Sequence, residues 1–201
     1  MRTPARQERP RSKAQGRARQ LKASKLFRGG TDVRFDALVQ FPFRDQIYAS
    51  GYRKAADTLV ARARRSRTDL NFLVYPIVFL YRHYLELRLK LLQSDLCELR
   101  GLSPTHHEHD LAKLWTDVRQ HLAHVFPTEA ATLDPVQKVV LEFHQLDRGS
   151  TAFRYSRSND GDALSGLTRI NVLELSRALK KPFDRLEGAS DAVGEMLSSR
   201  A

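Results

Sequence analysis

Residues 71–93 read NFLVYPIVFLYRHYLELRLKLLQ, and this stretch decides the fold. Leu73, Val74, Ile77, Val78, Leu80, Tyr81, Tyr84, Leu85, Leu87, Leu89, Leu91 and Leu92 put apolar side chains on almost every side of a helix. A helix of that kind belongs in the middle of a bundle. It is not a membrane span, because Arg82, His83, Glu86, Arg88 and Lys90 all fall inside the window. Those charges are ordered. Arg82, Glu86 and Lys90 step by four and His83 lies three before Glu86, so the four share one side of the helix. A polar stripe on the most apolar helix is either a buried network or the floor of a site.

The rest of the chain supports a single domain. With 201 residues it can build one real core but not two comfortable ones. The formal net charge of +11 is unevenly spread. Residues 1–30 carry ten Lys or Arg against one acid, Glu8, whereas residues 31–201 carry 24 basic and 22 acidic side chains. The basic character therefore belongs to a tail. That tail has almost nothing to bury and is expected to be disordered, either as an electrostatic grip on nucleic acid or as a passive extension. Cys97 is the sole cysteine, which excludes an internal disulfide and a multi-cysteine metal site. No apolar segment of signal-peptide type follows the basic N-terminus, so a reducing cytoplasm is expected.

Working outward, residues 31–44 predict a lead-in that lays aromatics across the bundle, with Pro42 preventing a long helix. A first helix is expected over 45–65, with Tyr48, Tyr52, Ala55, Ala56, Leu59, Val60 and Ala63 inward. Thr68-Asp69 suits the start of the central helix, which should run to Leu99 and stop at Gly101. Pro76 either kinks that helix or marks its start. The loop 101–109 is followed by helices over 110–125 and 129–147, with Trp115 in the core. Residues 151–171 predict an extended pair, a small hairpin or a long ordered loop, with Ser158-Asn159-Asp160-Gly161-Asp162 as turn chemistry. Asn171 caps a last helix over 172–187, bent at Pro182 and ended by Gly188, with a short further turn over 189–199. The expected fold is all-α: an antiparallel bundle of about five helices over 31–200 behind a disordered basic tail, 1–30.

Tyr84-Leu85-Glu86-Leu87-Arg88-Leu89-Lys90-Leu91-Leu92, followed by His109-Asp110-Leu111 and Leu114, resembles the core of HEPN domains. In that family a helix reading roughly (A/L)xELxLKxLL precedes a loop and a helix beginning HDL. A later RYP segment has its counterpart in Phe153-Arg154-Tyr155-Ser156, without the Pro. The resemblance covers about residues 45–190 in layout, and these three motifs carry it. Asp110 can cap its helix while His109 turns toward Glu86 and satisfies a buried carboxylate. Arg82, His83, Glu86, Lys90, His109, Asp110, Arg154 and Tyr155 are then expected to converge, as a docking network or as a pocket for a phosphate-bearing or nucleotide ligand.

HEPN-like domains fall into two kinds. Some are metal-independent ribonucleases of toxin–antitoxin and defence systems, carrying Arg, four to six residues and then His on a late helix, and working as dimers. Others lack that motif and serve as binding or dimerising modules. Arg119 with His124, and Arg100 with His106 or His107, match the spacing but lie too early in the chain, and Arg154 has no His after it. The resemblance therefore implies a non-catalytic module of a bacterial stress, defence or RNA-related system, binding RNA, a nucleotide, a cognate protein or a second copy. The alternatives are a dimeric RNA endonuclease using Arg119 and His124, and an interaction module with no nucleic-acid role. No cofactor, metal or membrane is expected. His106, His107 and His109 lack metal-site spacing, and Asp160-Gly161-Asp162 lacks the rest of a calcium loop.

Overall fold

The central helix begins where Ser66 turns its hydroxyl back onto the amide of Asp69, at 3.2 Å. In the computed structural model, which describes residues 31–39, 44–155, 164 and 166–200, five α-helices follow one another. They are α1 (Arg44–Ala63), α2 (Arg67–Leu99), α3 (Leu111–Val125), α4 (Asp134–Leu146) and α5 (Val172–Ser198). The chain divides into two compact units, Met1–Gln40 and Phe41–Ala201. In the first, Asp32 caps a short 3-10 turn, Val33–Phe35, and pairs with Arg34. The second holds the helices. The expected disordered tail, residues 1–30, and the aromatics Phe41 and Phe43 of the lead-in lie outside the described residues.

The all-helical bundle is built around α2, as its apolar pattern requires. Ile77, Val78, Tyr81, Tyr84, Leu85, Leu89, Leu92 and Leu96 are buried, and α2 packs against α1, α3 and α5. Pro76 does not start the helix, which begins at Arg67 and runs through it. Side-chain pairs give the directions. Tyr81 meets Asp57 and Arg88 meets Ser50, so α1 runs antiparallel to α2 after a three-residue link. Arg119 meets Asp134 and Asp110 meets His144, so α3 and α4 form a second antiparallel hairpin. By contrast α3 and α5 run in the same direction as α2: Glu86 meets His109 and Cys97 meets His121, while Tyr84 meets Glu187 and the Leu99 carbonyl meets Arg200. The link after α2 must therefore travel back along it. Returning from Leu99 to the level of Glu86 is about 20 Å at 1.5 Å per residue. Eleven loop residues, each reaching up to about 3.3 Å, cover it easily.

Several boundaries differ from expectation for identifiable reasons. The inward face of α1 is Ala49, Ala56, Val60 and Ala63, with Tyr52 and Leu59 partly buried, while Tyr48 and Ala55 face solvent. Small residues win these positions because α1 lies close along α2. Residues 130–133 form a 3-10 turn, and α4 starts after it with Pro135 in its first turn. No strand occurs among the described residues of 151–171. Thr151–Tyr155 is a turn closed by the Thr151 carbonyl, and Gly166–Asn171 is irregular, so the loop alternative holds there. Gly188 does not end α5, which continues through Pro182, Gly188 and Gly194 to Ser198. Burial of Val193 and Ser190 beyond Gly188 keeps the helix going, since tertiary packing overrides the low helix propensity of glycine.

Gly188 is exposed and a Cβ added there meets nothing within 4 Å. Gly188→Ala should therefore stabilise the protein by about 0.5–1 kcal/mol, read as a higher urea midpoint. Destabilisation instead would mean that the helix breaks at this residue.

Candidate functional site

The polar stripe of α2 folds inward. Arg82 is 0 % exposed and Glu86 2 %. Arg82 Nη1 donates to Glu86 Oε2 at 2.8 Å, Nη2 donates to the His109 carbonyl at 3.0 Å and Nε donates to the Asp147 carbonyl at 3.1 Å. Lys90 Nζ and His109 Nδ1 both donate to Glu86 Oε1, at 2.7 and 2.9 Å. Asp110 caps α3 through the Lys113 amide at 3.0 Å and lies 3.4 Å from His144 Nδ1. Arg82, Glu86, Lys90 and His109 thus meet as expected, with Asp110 beside them.

Asp147 is the member that sequence reasoning missed. Its Oδ1 accepts from the Thr151 and Ala152 amides at 2.7 and 3.1 Å. Its Oδ2 lies 3.3 Å from Arg82 Nε. The Nε hydrogen is directed at the carbonyl of the same residue, so Oδ2 gains charge attraction without a hydrogen bond. The only hint in the sequence was a balance of charge. Glu86 alone faces both Arg82 and Lys90, so a buried arginine needs a second carboxylate.

The other three residues lie outside this network. His83 packs between the rings of Tyr52, at 4.5 Å, and Phe79, at 5.5 Å. Burial pushes its pKa down, and Arg82, Arg154 and Lys90 add to that against Glu86, so the ring is neutral and part of the packing. Arg154 donates through Nε to the Ser150 carbonyl and lies over the rings of Tyr155 and Phe79. Tyr155 is exposed. Both line a separate cavity beside Tyr75 and Arg169.

The histidines of the 101–110 loop do not gather. His106 is exposed, His107 faces Asp117 at 3.5 Å and His109 faces Glu86. Among the described residues, no group of three or more His, Cys, Asp or Glu is placed to hold a metal ion. Arg119 and His124 are not brought together. Arg119 bonds Gln137 and Asp134 on α4, whereas His124 lines a hollow with Leu99, Arg100 and Met196. Five helical residues separate them by about 140° around α3, which explains the divergence. Arg100 instead meets His121, donating to Nδ1 at 2.5 Å. That bond places the ring hydrogen on Nε2, which faces Asp117 Oδ1 at 3.4 Å and Cys97 Sγ at 3.6 Å. Cys97 is buried, and burial raises its thiol pKa, which favours the protonated, packed form.

Compared with protein-family models, curated proteins and solved structures, the chain gives no match.

Glu86 is a direct probe of this arrangement. Burial alone would raise its pKa, but hydrogen bonds from Lys90, Arg82 and His109 outweigh that and hold it below its ordinary value of 4.5. With the folded value depressed, the stabilisation is fully present above the ordinary value and is lost as pH falls through the folded one. Glu86→Ala should cost on the order of 3 kcal/mol at pH 7 in urea unfolding, because buried Arg82 loses its hydrogen-bonded carboxylate and keeps only Asp147 nearby. Between pH 7 and pH 3 the wild type should lose more stability than Glu86→Gln. Equal losses would remove Glu86 from the account of acid sensitivity.

Proposed function

We propose that this chain is a non-catalytic, HEPN-like helical module of a bacterial cytoplasmic stress, defence or RNA-related system, acting by binding nucleic acid or a partner protein. What carries this reading is the state of the residues behind the resemblance. Glu86 accepts from three donors, Arg82 is wholly enclosed, and the His109 Nδ1 hydrogen is committed to Glu86. Glu86 and Arg82 are thereby committed to one another and to the fold. In the Arg–His pairs that match nuclease spacing the arginines bond other partners, Arg119 to Gln137 and Asp134 and Arg100 to His121, which weighs against metal-independent RNA cleavage. Among the described residues no helix is long and apolar enough to cross a membrane. Binding is supported by the large side chains left on the outside of α2, Phe72 at 74 % and Tyr75 at 51 % exposure.

Two assays test the reading. Single-stranded RNA incubated with the purified protein in EDTA should stay intact. Metal-free cleavage that disappears in His124→Ala would overturn the proposal in favour of a nuclease. RNA retention in filter binding should fall with salt. If it survives removal of residues 1–30, the helical domain contributes to it. If it vanishes with them, the tail is the nucleic-acid element and the domain serves a protein partner.

A further inference from the structure

We infer that the cavity between the N-terminal half of α2 and the segment after α4 binds a small anion bearing a flat ring. The cavity encloses about 530 Å³, within the size range of small-molecule sites. Phe153 and Ile170 contribute apolar surface to its lining, Tyr75 and Tyr155 contribute exposed rings, and Arg154 and Arg169 contribute charge. No Asp or Glu appears among its described lining residues. The two arginines differ from the others of the domain that are enclosed or paired. Arg154 is anchored by Nε to the Ser150 carbonyl and its guanidinium lies 5.6 Å from the Tyr155 ring centre, leaving its Nη groups without a carboxylate. Arg169 has no hydrogen-bond or ion-pair partner among the described residues.

These features select one ligand chemistry. A wholly apolar occupant would strip water from two guanidiniums and give nothing back. A bare anion would leave the tyrosine rings and the apolar lining unused. A ring stacked on tyrosine, with a phosphate or carboxylate held by the arginine forks, satisfies both sets. Two guanidiniums and no carboxylate among the described lining residues disfavour a cation. Two sources share this chemistry, a mononucleotide and an aromatic carboxylic acid. The inference does not rest on the proposed function, since neither RNA binding nor the absence of cleavage enters it.

Calorimetric titration of the full chain separates the possibilities. The probes are AMP and indole-3-acetate, with adenosine, tryptophol and inorganic phosphate as partial ligands. At least one of the first two should bind at one per chain, and the partial ligands should bind at least about tenfold more weakly. Binding of AMP alone assigns the phosphate source, and binding of indole-3-acetate alone assigns the carboxylate source. Binding of both assigns a site that reads ring and charge together. Arg169→Ala should weaken binding at least about tenfold with an unchanged melting temperature, because Arg169 is exposed and has no hydrogen bond or ion pair among the described residues. Arg154→Ala should weaken binding to a similar degree and also lower the melting temperature, because its bond to the Ser150 carbonyl and its contact with Phe79 are lost. Failure of both ring anions to bind at millimolar concentration would overturn the inference. So would unchanged affinity in Arg169→Ala, or adenosine binding as well as AMP.

Discussion

Arg82 sits in the middle of the most apolar helix with no solvent exposure, and the packing of three helices depends on how it is satisfied. An isolated charge there would cost several kcal/mol. The guanidinium resolves this with its fixed fork. One arm holds Glu86 on its own helix, one holds the carbonyl of His109 just before α3, and Nε holds the carbonyl of Asp147 just after α4. Because α3 and α4 form an antiparallel hairpin, the start of one and the end of the other arrive at the same level of α2. A single side chain therefore fixes the register of a whole hairpin. Apolar packing alone specifies the position of α3 less sharply along a helix that is leucine-rich on several faces. The network gains little net energy over an apolar replacement, but it makes one docking position cheaper than its neighbours.

A second network performs a similar task for α5. Arg53 of α1 bonds Asp184 and Glu187 at 2.6 and 2.8 Å and lies over the rings of Tyr84 and Phe183. Tyr84 of α2 donates to Glu187 at 2.8 Å, and Arg88 lies 3.8 Å from the same carboxylate. Burial and the neighbouring Glu187 raise the Tyr84 pKa, so the phenol keeps its proton and remains a donor. Further toward the start of α2, Tyr81 donates to Asp57 and accepts from the Ser176 hydroxyl, again joining α1, α2 and α5. Each helix that runs parallel to α2 is thus tied by polar side chains, where a short link could not set its position.

This division explains what the sequence revealed. Periodicity in α2, the Asp110 and Asn171 caps and the i, i+4 steps of Arg82, Glu86 and Lys90 are local signals, and all three are present in the structure. The His109–Glu86 bond was legible because a polar stripe needs a partner and the motif supplied one. Asp147 was not, since it reads as an ordinary helix end and its contact with Arg82 spans 65 positions. Arg53 with Glu187 spans 134 and leaves no trace in any window. Gly188 misled because glycine propensity is a weak prior, and packing on both sides of the residue carries α5 past it. Arg154 and Tyr155 were grouped with Glu86 by motif order alone. The turn closed by the Thr151 carbonyl accompanies their placement in a different cavity.

The arrangement of charge bears on how any ligand would be recognised. Residues 31–201 carry nearly balanced charge, so the domain itself produces little long-range field. Its interior cations are matched at short range: Arg82 by Glu86 and Asp147, Arg53 by Asp184 and Glu187. Arg154 and Arg169 are set apart from the other cations without an ion pair among the described residues, such as Arg65, Arg67 and Arg148, by together lining one cavity. Such a site reads geometry and responds weakly to salt, since only one or two charges are neutralised. The ten basic residues of 1–30 have the opposite character, high charge with no fixed pattern of apolar residues, and any contact they make with a polyanion should fall steeply as salt rises. The salt dependence of binding therefore distinguishes which part of the chain holds a ligand, before any residue is changed.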